Sequence, residues 1–135
     1  MHRKTKGDAV KKEIFSVCLI SVMLIAALVN TYCINSLTTE MNGFIEESIE
    51  AIKKDDWEYA ENQIKLAEKL WIDKKGYTHI VLRHSEIDTV SDALYDCVAY
   101  VRDQSVHAAV TAAQKVMYFL NSMYDMERVR FGSVF

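Results

Sequence analysis

Two kinds of apolar pattern follow one another along this chain: an unbroken run, then stripes at helical spacing. From Ile14 to Tyr32 the sequence reads IFSVCLISVMLIAALVNTY, without a charge. At about 1.5 Å rise per residue this run forms a helix of roughly 28 Å, the thickness of a bilayer's hydrocarbon core. A core helix of a soluble protein is usually shorter and keeps a polar stripe, so the run predicts a transmembrane helix. A cleaved signal peptide has an apolar stretch of about 7 to 15 residues ending at a small-x-small site. The exit here, LVNTYCIN, has no such site, and we read an uncleaved signal anchor.

Beyond Tyr32 the period becomes that of amphipathic helices. Leu37, Met41, Phe44, Ile45, Ile49 and Ile52 recur at threes and fours, so a helix continues out of the apolar run to about Lys54 with no strong break. Asp55 or Asp56 is the expected N-cap of a second helix, because a carboxylate oxygen can accept from its unpaired first N–H groups. In that helix, DDWEYAENQIKLAEKLW, the residues Trp57, Ala60, Ile64, Ala67 and Trp71 share one seam, with Leu66 and Leu70 widening it. Lys69, Lys74 and Lys75 suit the negative end of the helix dipole, and Gly76 is expected to end the helix in a left-handed turn.

A third helix is expected to begin between Tyr77 and Ser85, with Ile80, Ile87, Val90, Leu94, Cys97, Val98 and Val101 on its stripe. Asp103 and Gln104 interrupt it. From Ser105 a fourth pattern brings Val106, Ala109, Val110, Ala113, Val116, Met117, Leu120, Met123 and Tyr124 to one face, reaching about Val129.

Three or four such helices with short connections must bury their stripes on one another. The expected fold class is all-α: an N-terminal transmembrane helix followed by a small antiparallel bundle of three to four helices. The absence of proline and the presence of only four glycines favour long helices over short strands and turns. With 135 residues there is room for one modest domain beside the span. We therefore divide the chain into a basic cytoplasmic segment 1–13, a transmembrane anchor 14–32 and an extracytoplasmic bundle 33–135. The tryptophan-bearing helix is loosely similar to the first half of a tetratricopeptide repeat, but no period of about 34 residues returns.

Charge sets the orientation. Arg3, Lys4, Lys6, Lys11 and Lys12 precede the run, whereas Glu40, Glu46 and Glu47 are the first charges after it. The positive-inside rule then keeps the N-terminus cytoplasmic and places residues after Tyr32 outside the cell membrane. A net charge of -3 argues against nucleic acid as a partner.

Candidate chemistry is sparse. The sequence has no C-x-x-C, H-E-x-x-H, Gly-rich phosphate loop or G-x-S-x-G elbow, so neither an enzyme nor a cofactor is expected. Cys97 reads as a small core hydrophobe, and Cys33 as a thiol at the outer end of the span. His84 and Asp88, four apart in RHSEID, share a helical face, but two ligands are too few for a zinc site. Glu46, Glu47, Glu50, Lys53 and Lys54 read as a solvated face. The possible interaction or ligand residues are therefore Trp57, Trp71, His84 and Asp88, with the two indoles expected first as core anchors.

Taken together, the apolar N-terminal helix, the helix bearing Trp57 and Trp71, the His84 to Ile87 segment and the tail Ser133-Val134-Phe135 resemble the bacterial domain-of-unknown-function 4363 family. The family tail more often has Asn where this chain has Ser133. The resemblance implies a Gram-positive, often spore-forming source and a short membrane-anchored helical protein; it implies no activity. The expected function is that of an accessory or scaffold subunit acting through protein-protein contacts, with a membrane or cell-envelope partner or with itself. The alternative is a sensor taking a peptide or small molecule between the tryptophan helix and the His84 helix.

Overall fold

The computed structural model describes residues 3–133, with side-chain surroundings from residue 7 onward. Helix α1 runs without interruption over Arg3–Lys53, followed by α2 (Trp57–Asp73), the short α3 (Lys75–Val81), α4 (His84–Arg102) and α5 (Val106–Gly132). The fold is all-α, a long apolar N-terminal helix continuing into a helical bundle. Among the described residues α1 is the one helix long and apolar enough to cross a membrane. Most of its apolar run stands free of the rest, with Phe15 70% exposed; partial burial begins at Ala27 and full burial at Ile34.

The second half of α1 packs chiefly against α2 and α5, and α4 packs against α5 and α2, so four long helices close a ring around one core. Cross-helix bonds show that neighbours are antiparallel. Between α2 and α4, Trp71 Nε1 donates to Ser91 Oγ at 2.9 Å and Arg102 Nε donates to Glu61 Oε1 at 2.8 Å, and between α1 and α5, Asn30 meets Glu127 while Asn42 meets Asn121, so in both pairs the numbering rises on one helix as it falls on the other. This is an up-down-up-down four-helix bundle, the topology that short connections impose. Its core is built at threes and fours: Ile34, Leu37, Met41, Ile45 and Ile52 from α1, then Ala60, Ile64, Ala67 and Trp71 from α2. Helix α4 contributes Ile87, Val90, Leu94, Cys97 and Val101, and α5 contributes Ala109, Ala113, Val116, Leu120 and Met123. Burial pushes the Cys97 thiol up to about 12, so it behaves as a hydrophobe.

The two hairpin turns share one device. At the end of α1 the Asp56 N–H reaches the Ala51 carbonyl (2.9 Å) and the Asp55 N–H reaches Ile52 (3.1 Å). At the end of α4 the Ser105 N–H reaches Tyr100 (3.3 Å) and the Gln104 N–H reaches Val101 (3.1 Å). Both are Schellman closures, in which the residue after the cap turns left-handed. Asp55 (φ 60°) and Gln104 (φ 53°) occupy that position although glycine is the residue suited to it. Asp56 then caps α2, its side chain accepting from the Tyr59 N–H at 3.1 Å.

Four expectations need correction, the first being Leu66, which does not widen the seam of α2 but is exposed to solvent. Gly76 does not close α2 in a left-handed turn: Lys74 is the cap, at φ -89°, and Gly76 lies within α3. The chain makes its reversal there by inserting a short extra helix, which needs no left-handed residue. Ile80 is not on the third stripe, because it belongs to α3 and is 83% exposed, while Thr78 and Leu82 face inward. Val106 starts α5 and is exposed, since the turn at Gln104 brings the helix in with its first buried position at Ala109.

Candidate functional site

The tryptophans part company. Trp71 is buried in the core and its indole N–H is taken up by Ser91, which in turn donates to the Ile87 carbonyl at 2.8 Å. Trp57 is half-buried against the core, and its Nε1 donates to Asp55 Oδ1 at 2.6 Å, bracing the left-handed residue before it. One indole thus joins α2 to α4 and the other stiffens a turn. His84 and Asp88 are both exposed. The His84 ring meets His79 edge-on, with centroids 5.5 Å apart, and the described residues hold no group of three His, Cys, Asp or Glu able to bind a metal ion. The four residues singled out from the sequence do not converge on one site.

A different cluster does converge, at the end of the bundle where α1 enters. Glu127 on α5 is 1% exposed, the one acidic side chain buried among the described residues. Its Oε2 accepts from Asn30 Nδ2 of α1 at 3.4 Å, and Arg130 Nη1 lies 2.5 Å from its Oε1 as an ion-pair contact. Arg130 Nη2 is also 3.7 Å from Glu86 Oε1 of α4. Glu86 Oε2 accepts the Arg83 backbone N–H at 3.1 Å, half of a capping box that arginine, lacking an acceptor, cannot complete. On the other side the Tyr77 hydroxyl of α3 donates to Asn30 Oδ1 in a short hydrogen bond. One polar chain therefore links α3, α1, α5 and α4, and it grips α1 at Asn30, inside the last turn of the uncharged run.

The electrostatics follow from burial. Desolvation raises the Glu127 carboxyl above its ordinary value; Arg130, the Asn30 amide and Arg83 pull it back down, while Glu86 adds to the rise. Burial is also the leading cause that pushes Tyr77 up to about 12, with Cys33 and Glu127 adding to it. The arrangement clamps and orients; it presents no nucleophile paired with a base. A signal for Glu127 was present in the sequence: it extends the α5 series Ala109, Ala113, Val116, Leu120, Met123 by one further step of four.

Because the folded chain binds the Glu127 proton more tightly than the unfolded chain, the sign of the pH effect is set. The stabilising contribution of the protonated carboxyl is complete below the ordinary value of 4.5 and is lost as pH rises through the higher folded value. The stability of the wild type minus that of Glu127→Gln should therefore decline as pH rises from about 4 to about 8. Urea midpoints of the full chain in detergent micelles measure it. A difference flat across that range would mean an unshifted carboxyl.

Two of the surface grooves that adjoin the cluster lie along α5. One, of about 240 Å³, lies between α4 and α5 and is lined by Ser85, Thr89, Phe119 and Met126 among others; the second, of about 420 Å³, is lined by Arg83, Asp125, Met126, Val129 and Arg130. Small-molecule pockets usually run to about 300 to 1,000 Å³ and enclose their ligand. Elsewhere α4 and α5 expose Tyr95, Tyr100 and Tyr118.

No curated protein and no solved structure matches the chain. Residues 28–134 match the model of a family described as Domain of unknown function (DUF4363), a stretch that begins two residues before Asn30 and includes all five members of the polar chain. With most of its length matched, and the whole bundle within the match, the chain belongs to the DUF4363 family.

Proposed function

We propose that this chain is a single-pass membrane protein which holds a helical bundle against the outer side of the cell membrane and works there by protein-protein contact, as an accessory or scaffold subunit. The observation that carries the reading is the continuity of α1: an uncharged run of exposed apolar side chains passes with no linker into the bundle core. Soluble monomers rarely expose apolar patches beyond a few hundred Å², so the run needs a covering, and bilayer hydrocarbon fits its length. The bundle's own interior is filled by its side chains, and Trp71 is engaged in packing, which leaves the space between α2 and α4 closed. A ligand-sensing role has correspondingly less support. The exposed tyrosines of α4 and α5 suit a protein partner or a second copy, because aromatic residues are enriched at interfaces. We assign the chain no reaction.

Orientation is the direct test. The exposed Glu50, near the end of α1, is a suitable reporter position. On intact cells an impermeant thiol reagent should label Glu50→Cys and spare Thr5→Cys, each in a background with Cys33→Ala. Labelling at Thr5 alone would reverse the topology.

A further inference from the structure

We infer that the α1-entry end of the bundle makes a second membrane contact, resting in the headgroup layer with its apolar residues pointed inward and its cations on anionic lipid phosphates. The inference rests on the membrane reading of α1 and deepens it.

The position follows from the register of the helices. Asn30 is bonded to Glu127 and to Tyr77, so α5 and α3 lie level with the last turn of the uncharged run, which ends at Tyr32. Helix α5 is antiparallel to α1, as the Asn42 Nδ2 bond to Asn121 Oδ1 (2.8 Å) also shows, and it continues past Glu127 to Gly132. At about 1.5 Å per residue those last residues carry it roughly 7 Å further, alongside Leu28 and Ala27, and Ala27 is accordingly half-buried. If residues 14–32 occupy the hydrocarbon core, Asn30 lies about 3 Å inside its outer edge and the end of α5 about 10 Å inside, so the last turn of α5 dips through the headgroup layer into the acyl chains.

The surface at that level suits the location. Val129 is 66% exposed, and Met126, Ile72 and Ile80 are exposed as well, Ile80 being the most exposed large hydrophobe of the bundle. Nothing in the bundle covers these side chains, and α3 itself turns Ile80 outward while burying Thr78. Lys74, Lys75 and Arg128 are exposed around them, and the described ion pairs involve none of the three. Apolar side chains ringed by long cations form the pattern of an interfacial element, since lysine and arginine can lay their stems along the apolar layer and keep the charge among phosphates. At the far end of the bundle the exposed acids Glu46, Glu47, Glu50, Asp55, Asp56 and Glu58 outnumber the exposed cations Lys53, Lys54 and Arg102, whereas at the α1-entry end Lys74, Lys75, Arg83 and Arg128 outnumber Asp73 and Asp125, a polarity that favours the entry end for an anionic membrane. The clamp at Asn30 then has a purpose: it prevents the bundle from swinging away on a hinge.

Spin labels read this directly. The full chain, with Cys18, Cys33 and Cys97 replaced by Ala, is reconstituted in vesicles of phosphatidylcholine and phosphatidylglycerol, carrying one nitroxide at Ile80→Cys, Val129→Cys, Met23→Cys or Tyr100→Cys. Collision with lipid-dissolved oxygen should exceed collision with a water-soluble nickel reagent at positions 23, 80 and 129, and the ratio should reverse at 100. Water-exposed labels at 80 and 129 with a lipid-exposed label at 23 would overturn the inference and leave the anchor intact. A water-exposed label at 23 would overturn the anchor itself. Omitting phosphatidylglycerol should shift labels 80 and 129 toward water; unchanged ratios would refute the role given to the cations.

Discussion

Trp71→Ala will produce the largest loss of stability expected from any single truncation in this bundle. The indole is 5% exposed, fills the core between α2 and α4, and donates to Ser91. Removing a buried tryptophan to alanine typically costs about 3 to 5 kcal/mol, through lost transfer energy and the cavity left behind. Domains of this size are stable by only about 5 to 15 kcal/mol in total. At about 4 to 8 °C per kcal/mol for a domain near 100 residues, the melting midpoint should fall by ten degrees or more, followed by circular dichroism of the full chain in detergent. Ser91 still donates to Ile87 in the variant, so the loss reads packing and not an orphaned hydroxyl. Trp57→Ala provides the internal comparison. Its ring is half-buried and bonded only to Asp55 in its own turn, so its effect should be clearly smaller. Equal midpoints for Trp71→Ala and wild type would refute the core assignment.

The second large effect is on membrane insertion. Ile20 and Met23 lie three apart in the middle of the apolar run, and both are more than half exposed. An arginine near the centre of a span costs about 2.5 to 3.5 kcal/mol in insertion, so Ile20→Arg with Met23→Arg should cost roughly 5 to 7 kcal/mol. That corresponds to about a thousandfold or more in the insertion equilibrium. The double variant should leave the carbonate-resistant membrane pellet, whereas Tyr95→Arg, on the exposed face of α4, should stay in it. If wild type and double variant sediment alike, the run is not a membrane anchor and the protein needs another cover for it.

Legibility along the chain depended on how local the determining physics is. The membrane-length run was plain because the absence of charge over Ile14 to Tyr32 is a property of the segment alone. The stripes of α2, α4 and α5 were plain for the same reason: Ala60, Ile64, Ala67 and Trp71, or Val90, Leu94, Cys97 and Val101, repeat at helical spacing wherever their partners lie. The N-cap at Asp56 was readable because capping involves one turn of backbone.

Where two solutions were locally acceptable, tertiary packing chose between them. Gly76 was the natural helix terminator, yet the left-handed turns fell to Asp55 and Gln104, where the lengths of the packed helices required the chain to reverse. Ile80 matched the apolar composition of its neighbours but was set on a separate short helix pointing outward. Glu127 shows the division most clearly. Its spacing alone marked it as a core position, and its charge alone marked it as solvated. Only the arrival of Asn30 and Arg130, the first of them 97 residues away, makes a buried carboxylate tolerable there. The sequence by itself determined the helices, their inward faces and the apolar run, because those follow from periodicity and composition within a segment. The tertiary structure decided which helices pair, how α1 is clamped at Asn30 and which residues gather at that end, because those depend on energies shared between groups far apart in the chain.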